Sequence, residues 1–218
     1  MELLKETLKS ISPPDEGAKE KARQRLDSLA KPIGSLGELE EIVIKMAGIT
    51  GNIHNKIKKR NIVVMCADNG VVEEGVSACP QAFTMVLAKN MTKGLTGVSV
   101  LSKMTNADLT IVDIGLNEDI SHPKIINKKV NYGTKNFTKG PSMTYDEAVR
   151  AIEVGIEVGD NLFKEGYDIL GTGELGIGNT TTSAAVLSAF TGLGPEITSG
   201  KGAGLTEEQY KCKQEAIK

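Results

Sequence analysis

The chain has no tryptophan, and phenylalanine and tyrosine together make up only 4% of its 218 residues. That leaves few aromatic platforms on which nucleic-acid bases could stack. Charge argues against the same partner. Lys+Arg number 26 and Asp+Glu 28, a formal net charge of −2, so no basic excess is available to neutralise phosphates. Cysteine is scarce: Cys66, Cys79 and Cys212 are an odd set whose spacing fits no metal or redox motif. A disulfide framework is excluded and a reducing compartment expected. Histidine is scarcer still. His54 and His122 lie in polar connections with no carboxylate or thiol at ligand spacing, so no metal is expected. No apolar run approaches the roughly 18 residues that a membrane span needs. The opening MELLKETLKSISPPDE carries scattered charges where a signal peptide has an apolar core. The expectation is a cytoplasmic protein with no membrane or nucleic-acid partner.

Glycine, by contrast, is plentiful, at 24 residues, and falls in short loops rather than low-complexity tracts. Such loops suit positive φ or close approach of backbone to a ligand. The first fifty residues read as helices. Pro13 and Pro14 follow a cap candidate, Ser12, and Leu36, Leu39, Ile42, Val43 and Met46 recur at helical spacing. From residue 59 the pattern changes. NIVVMCA (61–67), DLTIVDIG (108–115) and YDILGTG (167–173) are short apolar runs that suit buried strands, and KIINKKV (124–130) is a weaker edge candidate. Helical segments lie between them, at about 80–93, 97–105, 144–164 and 178–190. The alternation predicts an α/β fold, a mostly parallel sheet flanked by helices, over 59–218. Residues 1–58 form a helical subdomain. LTEEQYKCKQEAIK (205–218) opens with capping-box spacing at Thr206 and Gln209 and stops in full helical pattern, which reads as a chain cut in a helix.

In parallel α/β sheets, ligands bind beyond the carboxyl ends of the strands. The third strand leads into GTGELGIGNTTTSAA (171–185). Gly173, Gly176 and Gly178 let the backbone bring N–H groups against an anion, a helix starts near Asn179, and Thr180 and Thr181 add hydroxyls. The stretch lacks the GK[ST] of a P-loop, and its glycines fall as GxGxxGxG. A phosphate cradle and a tight strand-to-helix turn with a threonine cap both fit. Glu174 would repel a phosphate, so it either faces another part of a substrate, as an orienting group or base, or caps the turn. The first loop offers Asp68, which either orients backbone or meets ligand. It also offers Ser77 and Gln81, neutral groups apt for a flat heterocycle or for helix capping, and Pro80 at a helical first turn.

Five stretches occur in order: KPIGSLGELE (31–40), ADNGVVEEGVSACPQAFT (67–84), DIG (113–115), GTKNFTKGPSMTYDEA (133–148) and GELGIGNTTTSAA (173–185). Together they closely resemble the nicotinate-nucleotide–dimethylbenzimidazole phosphoribosyltransferase family of cobalamin lower-ligand assembly. The resemblance implies a Rossmann-like α/β domain with a smaller helical domain, in a cofactor-free homodimer that transfers phosphoribose from nicotinate mononucleotide to a benzimidazole-type base. It implies that Gly176, Gly178, Asn179, Thr180 and Thr181 hold the nucleotide's phosphate and ribose, joined by Lys213. Glu174 falls at an active-site acid, and Ser77, Pro80 and Gln81 line the base pocket. Family members are longer, and their principal general base lies in a C-terminal part. The expectation is therefore a truncation with little or no activity, and the alternative is a nucleotide-binding module or the subunit of a split enzyme. Many members carry an aromatic residue where this chain has Cys79, which opens the base pocket to purines or phenolic bases.

Overall fold

The computed structural model describes residues Met1–Lys218, which divide into two compact units: Leu4–Lys58 with Glu2, and Lys59–Lys218 with Met1 and Leu3. The first unit is built on three helices, α1 (Glu2–Ser10), α2 (Glu16–Asp27) and α3 (Glu38–Thr50). Asp15 caps α2 by accepting the Ala18 N–H at 2.9 Å. Ala18, Ala22 and Leu26 line one face of α2, four residues apart, and pack on Ile44 and Ala47 of α3. Small residues set the close approach: a Cβ on Gly48 would lie 2.8 Å from the Lys19 side chain. The buried face of α3 is therefore Glu40, Ile44, Ala47 and Gly48, while Leu39, Ile42 and Val43 remain exposed. The apolar stripe read from the sequence is helical but is not the side that α2 covers. Glu40 is held at 2.8 Å from Lys31 and also accepts the Leu36 N–H, which fixes the 31–40 turn.

The second unit is a four-stranded sheet in the order β3-β2-β1-β4, with every pairing parallel. Its elements run β1 (Arg60–Ala67), α4 (Phe83–Thr92), α5 (Gly97–Met104), β2 (Asp108–Gly115), β3 (Ile125–Asn127), α6 (Tyr145–Lys164), β4 (Ile169–Leu175), α7 (Asn179–Thr191), α8 (Pro195–Thr198) and α9 (Glu207–Ile217). The α/β reading of the sequence holds. From Ile62 to Ala67 β1 is apolar because both its faces are covered. Val64 and Cys66 pack with Met85, Ala88 and Met91 of α4, whereas Val63 packs with Val154, Val158 and Leu162 of α6. The capping box expected at Thr206 forms, with Gln209, at the start of α9.

β4 begins and ends two residues later than the sequence suggests. Tyr167 and Asp168 close the turn from α6, and pairing with β1 continues to Leu175 opposite Cys66. Two strand glycines are accommodated by their neighbour: a Cβ on Gly171 would meet the Ile62 side chain at 2.5 Å, and one on Gly173 would meet Val64 at 3.4 Å. The side chains of β1 fill the space the glycines leave. β3 is shorter than the segment read for it, three residues at the sheet edge.

Candidate functional site

From β1 the chain moves outward to β2 and β3, then returns to place β4 on the other side of β1. The switch point is thus between the carboxyl ends of β1 and β4, where a parallel α/β sheet leaves a crevice. A cavity of about 130 Å³ opens there, lined by Ser77, Cys79, Gly176, Gly178, Thr180 and Gly202, among others. A larger cavity, about 750 Å³, lies at the opposite end of the sheet beside Lys93, Lys103 and Lys124. Those lysines sit among the C-terminal carbonyls of α4 and α5, and Lys124 donates to the Thr92 carbonyl at 3.2 Å. They offset helix-end partial charge.

Close approach explains the glycines at the switch point. A Cβ on Gly176 would stand 2.2 Å from the Ala67 carbonyl oxygen and 2.6 Å from Asn69 Nδ2. Gly178 has φ +84°, a left-handed conformation, and starts α7 without a side-chain cap. Several first-turn donors are already used. Asn179 and Thr181 donate to the carbonyls of Gly176 and Gly178, and the Thr180 N–H donates to Asn179 Oδ1 at 2.8 Å. The Gly178 N–H makes no hydrogen bond within the chain.

Lys213 comes from α9. It is 1% exposed, yet no carboxylate pairs with it. Its Nζ donates to Thr180 Oγ1 at 2.8 Å and to the Gly200 carbonyl at 2.9 Å. Burial lowers its pKa from the ordinary lysine value. A buried ammonium without a counter-ion is costly, typically by several kcal/mol. An anion at this helix N-terminus would offset that cost.

The other predicted residues take distinct places. Glu174, exposed at the end of β4, accepts from Asn179 Nδ2 at 2.6 Å, so Asn179 bridges the acid and the helix start. Thr181 is fully buried with its Oγ1 unpartnered, beneath the exposed Thr180. Ser77 is half-buried and accepts the Cys79 N–H at 3.2 Å. Pro80 is exposed, and Gln81 donates to the Asn69 carbonyl at 3.3 Å; neither lines the cavity. Asp68 orients backbone, since its Oδ2 accepts the Asn117 N–H at 2.9 Å. Glu73 and Glu74 are not free surface charges. Glu73 pairs with Lys139 at 2.6 Å, which holds its carboxyl below the usual range, and Glu74 accepts from Asn136 at 2.6 Å.

A family model described as phosphoribosyltransferase matches residues 11–218. The chain belongs to that family. It is 56% identical over 218 residues to the nicotinate-nucleotide–dimethylbenzimidazole phosphoribosyltransferase of Clostridium tetani, covering 100% of this chain and 60% of that protein. It is 51% identical over 213 residues to the protein of the same name from Ruminiclostridium cellulolyticum, covering 98% and 60%. The crystal structure of CobT from Thermus thermophilus superposes with a TM-score of 0.89 at 37% identity, over 92% of this chain and 61% of that one. The chain therefore spans about 60% of the length of the curated relatives it matches.

Several residues of this arrangement were not singled out from the sequence. Gly202, φ +57°, brings the 200–204 loop against the cradle, and a Cβ there would lie 3.1 Å from Thr180 Oγ1. The stretch GKGAG was the available signal, a second glycine cluster just before a capped helix. Asn69 and Thr84 lie within the 67–84 stretch, but nothing local marks their role, because their partners lie about a hundred residues away along the chain.

Proposed function

We propose that this chain carries the nucleotide-binding site of an enzyme that transfers phosphoribose from nicotinate mononucleotide to 5,6-dimethylbenzimidazole or a related base. The products are nicotinate and α-ribazole 5′-phosphate. The observation that carries the reading is the buried Lys213, without a carboxylate partner, whose Nζ reaches Thr180 in the first turn of α7 at the switch point of the sheet. A phosphate supplies the missing negative charge. Gly176, Gly178, Asn179, Thr180 and Lys213 hold it and the ribose, with Thr181 supporting them from beneath. The hydroxyl of Thr180 already accepts from Lys213, which leaves its own proton free to donate to a ligand oxygen.

In the transfer, the bond between C1′ and the nicotinate nitrogen breaks, and its electron pair returns to the ring, which leaves uncharged at that nitrogen. A benzimidazole nitrogen bonds to C1′, and the N–H proton of the other ring nitrogen is lost to a base. In this reading Glu174, exposed at the end of β4 and bonded to Asn179, orients the ribose or the incoming base and offsets developing positive charge. Ser77 and Cys79 border the switch-point cavity, on the side read as taking the base. Fixing the phosphate fixes the sugar between the two nitrogens. The reading includes a homodimer working in the cytoplasm without cofactor or metal. Its names for substrates come from the relatives, of which this chain spans about 60%.

Calorimetry with nicotinate mononucleotide, with nicotinate riboside and with dimethylbenzimidazole tests the reading. Binding of the nucleotide that collapses when the phosphate is removed supports it; equal affinity for nucleotide and riboside overturns it. Chromatographic detection of α-ribazole phosphate from nucleotide and base adds turnover. Binding without product favours a nucleotide-binding subunit of a divided enzyme.

A further inference from the structure

The cradle's conformation is held by two side chains that do not line it. Ile177 lies between Gly176 and Gly178. Its N–H donates to Thr84 Oγ1 at 3.0 Å, and its carbonyl accepts from Asn69 Nδ2 at 3.0 Å. Thr84 is fully buried in the first turn of α4, and Asn69 is 9% exposed just beyond β1. The two bonds act on successive peptide units, one through the Ile177 N–H and the next through the Ile177 carbonyl. No peptide bond is cis, so carbonyl and N–H of one unit point in opposite directions. With the Ile177 carbonyl turned to Asn69, the Gly178 N–H of the same unit is turned away from Asn69. That N–H has no partner in the chain. Flanking glycines give the segment little steric definition of its own. Asn69 is itself anchored, since its carbonyl accepts from Gln81 Nε2.

We infer that Asn69 and Thr84 are positioning residues that aim the Gly176–Gly178 loop at the phosphate of the bound nucleotide, without touching it. The inference rests on the phosphate-cradle reading above.

Thr84→Val removes the acceptor and keeps the shape, Thr84→Ser keeps the acceptor, and Asn69→Asp sets a carboxylate against the Ile177 carbonyl. Loss of one buried hydrogen bond predicts that Thr84→Val weakens nicotinate mononucleotide binding about tenfold, with Thr84→Ser within about twofold of the parent. Inorganic phosphate, the second probe, weakens in the same proportion. Amide exchange at Ile177 speeds up in Thr84→Val at least about tenfold more than exchange at the other protected amides of the sheet. Asn69→Asp weakens both probes as well, so the test stands even if one variant fails to fold. Parental binding in folded Thr84→Val and Asn69→Asp overturns the positioning role, as does unchanged Ile177 exchange. If the parent binds neither probe while Ile177 exchange still rises in Thr84→Val, the phosphate reading falls and the clamp on Ile177 stands.

Discussion

At the scale of single residues, burial disfavours charge at both Lys213 and Cys66 and so moves their pKa values in opposite directions. Burial favours the neutral amine of Lys213, so its pKa lies below the ordinary 10.5. In the free protein, stability then rises with pH between the lowered value and 10.5, because the unfolded chain binds the extra proton there. Phosphate binding reverses the preference by stabilising the ammonium. Affinity for nicotinate mononucleotide should fall as pH rises through the lowered pKa, and Lys213→Met should bind about a hundredfold more weakly and lose that dependence. Calorimetry across alkaline pH checks both; a parent affinity independent of pH up to 10.5 would count against Lys213 as a phosphate ligand. Cys66 is fully buried, and desolvation, with the carboxylates of Asp113, Asp68 and Glu174, pushes its thiol up to about 12. Half-buried Cys79 and exposed Cys212 should react with a thiol reagent at about pH 8, and Cys66 only after unfolding. Three fast thiols in the native chain would contradict this.

At the scale of elements, the β4–α7 junction depends on glycines that are not equivalent. Gly176→Ala forces a Cβ to 2.2 Å from the Ala67 carbonyl, a backbone atom that cannot yield without breaking the β1–β4 pairing. A loss of about 2–4 kcal/mol is expected. Gly173→Ala places its Cβ 3.4 Å from Val64, ordinary contact, and should change stability by less than about 1 kcal/mol. Chemical denaturation of the pair gives the comparison, and similar losses in both would refute the close-approach account. The glycine run was visible in the sequence, but which glycine is sterically required was not. That depends on how near β1 lies, which is a matter of register. The helices read from spacing and caps were local properties and appear nearly where expected. β4 moved by two residues because its ends are set by pairing with β1 rather than by its own pattern.

At the scale of the whole molecule, β4 is an outer strand with one side unpaired, and Ile169 within it is 46% exposed. Along α7 and α8, Val186, Leu187, Phe190 and Ile197 also face outward, Phe190 at 87% exposure. An open strand edge and exposed apolar side chains each favour association. The 218-residue chain should show concentration-dependent mass by light scattering, reduced by Ile169→Lys and by Phe190→Glu. A monomer at all concentrations would refute that. No helix is long and apolar enough to cross a membrane, so these surfaces are not a helical span.

By itself the sequence determined the alternation of strands and helices, the capping box at Thr206 and Gln209, and the glycine-rich junction with its acid and hydroxyls. These follow from periodicity and backbone permissiveness, which act over a few residues. Only the tertiary structure decided that β4 lies beside β1, which creates the switch point. It also decided that Lys213 of the last helix reaches Thr180 with no counter-ion, and that Thr84 and Asn69 fix the Ile177 peptides. Those outcomes depend on groups far apart in the chain meeting in a space closed to water. There an unpaired charge or donor becomes costly enough to mark a site.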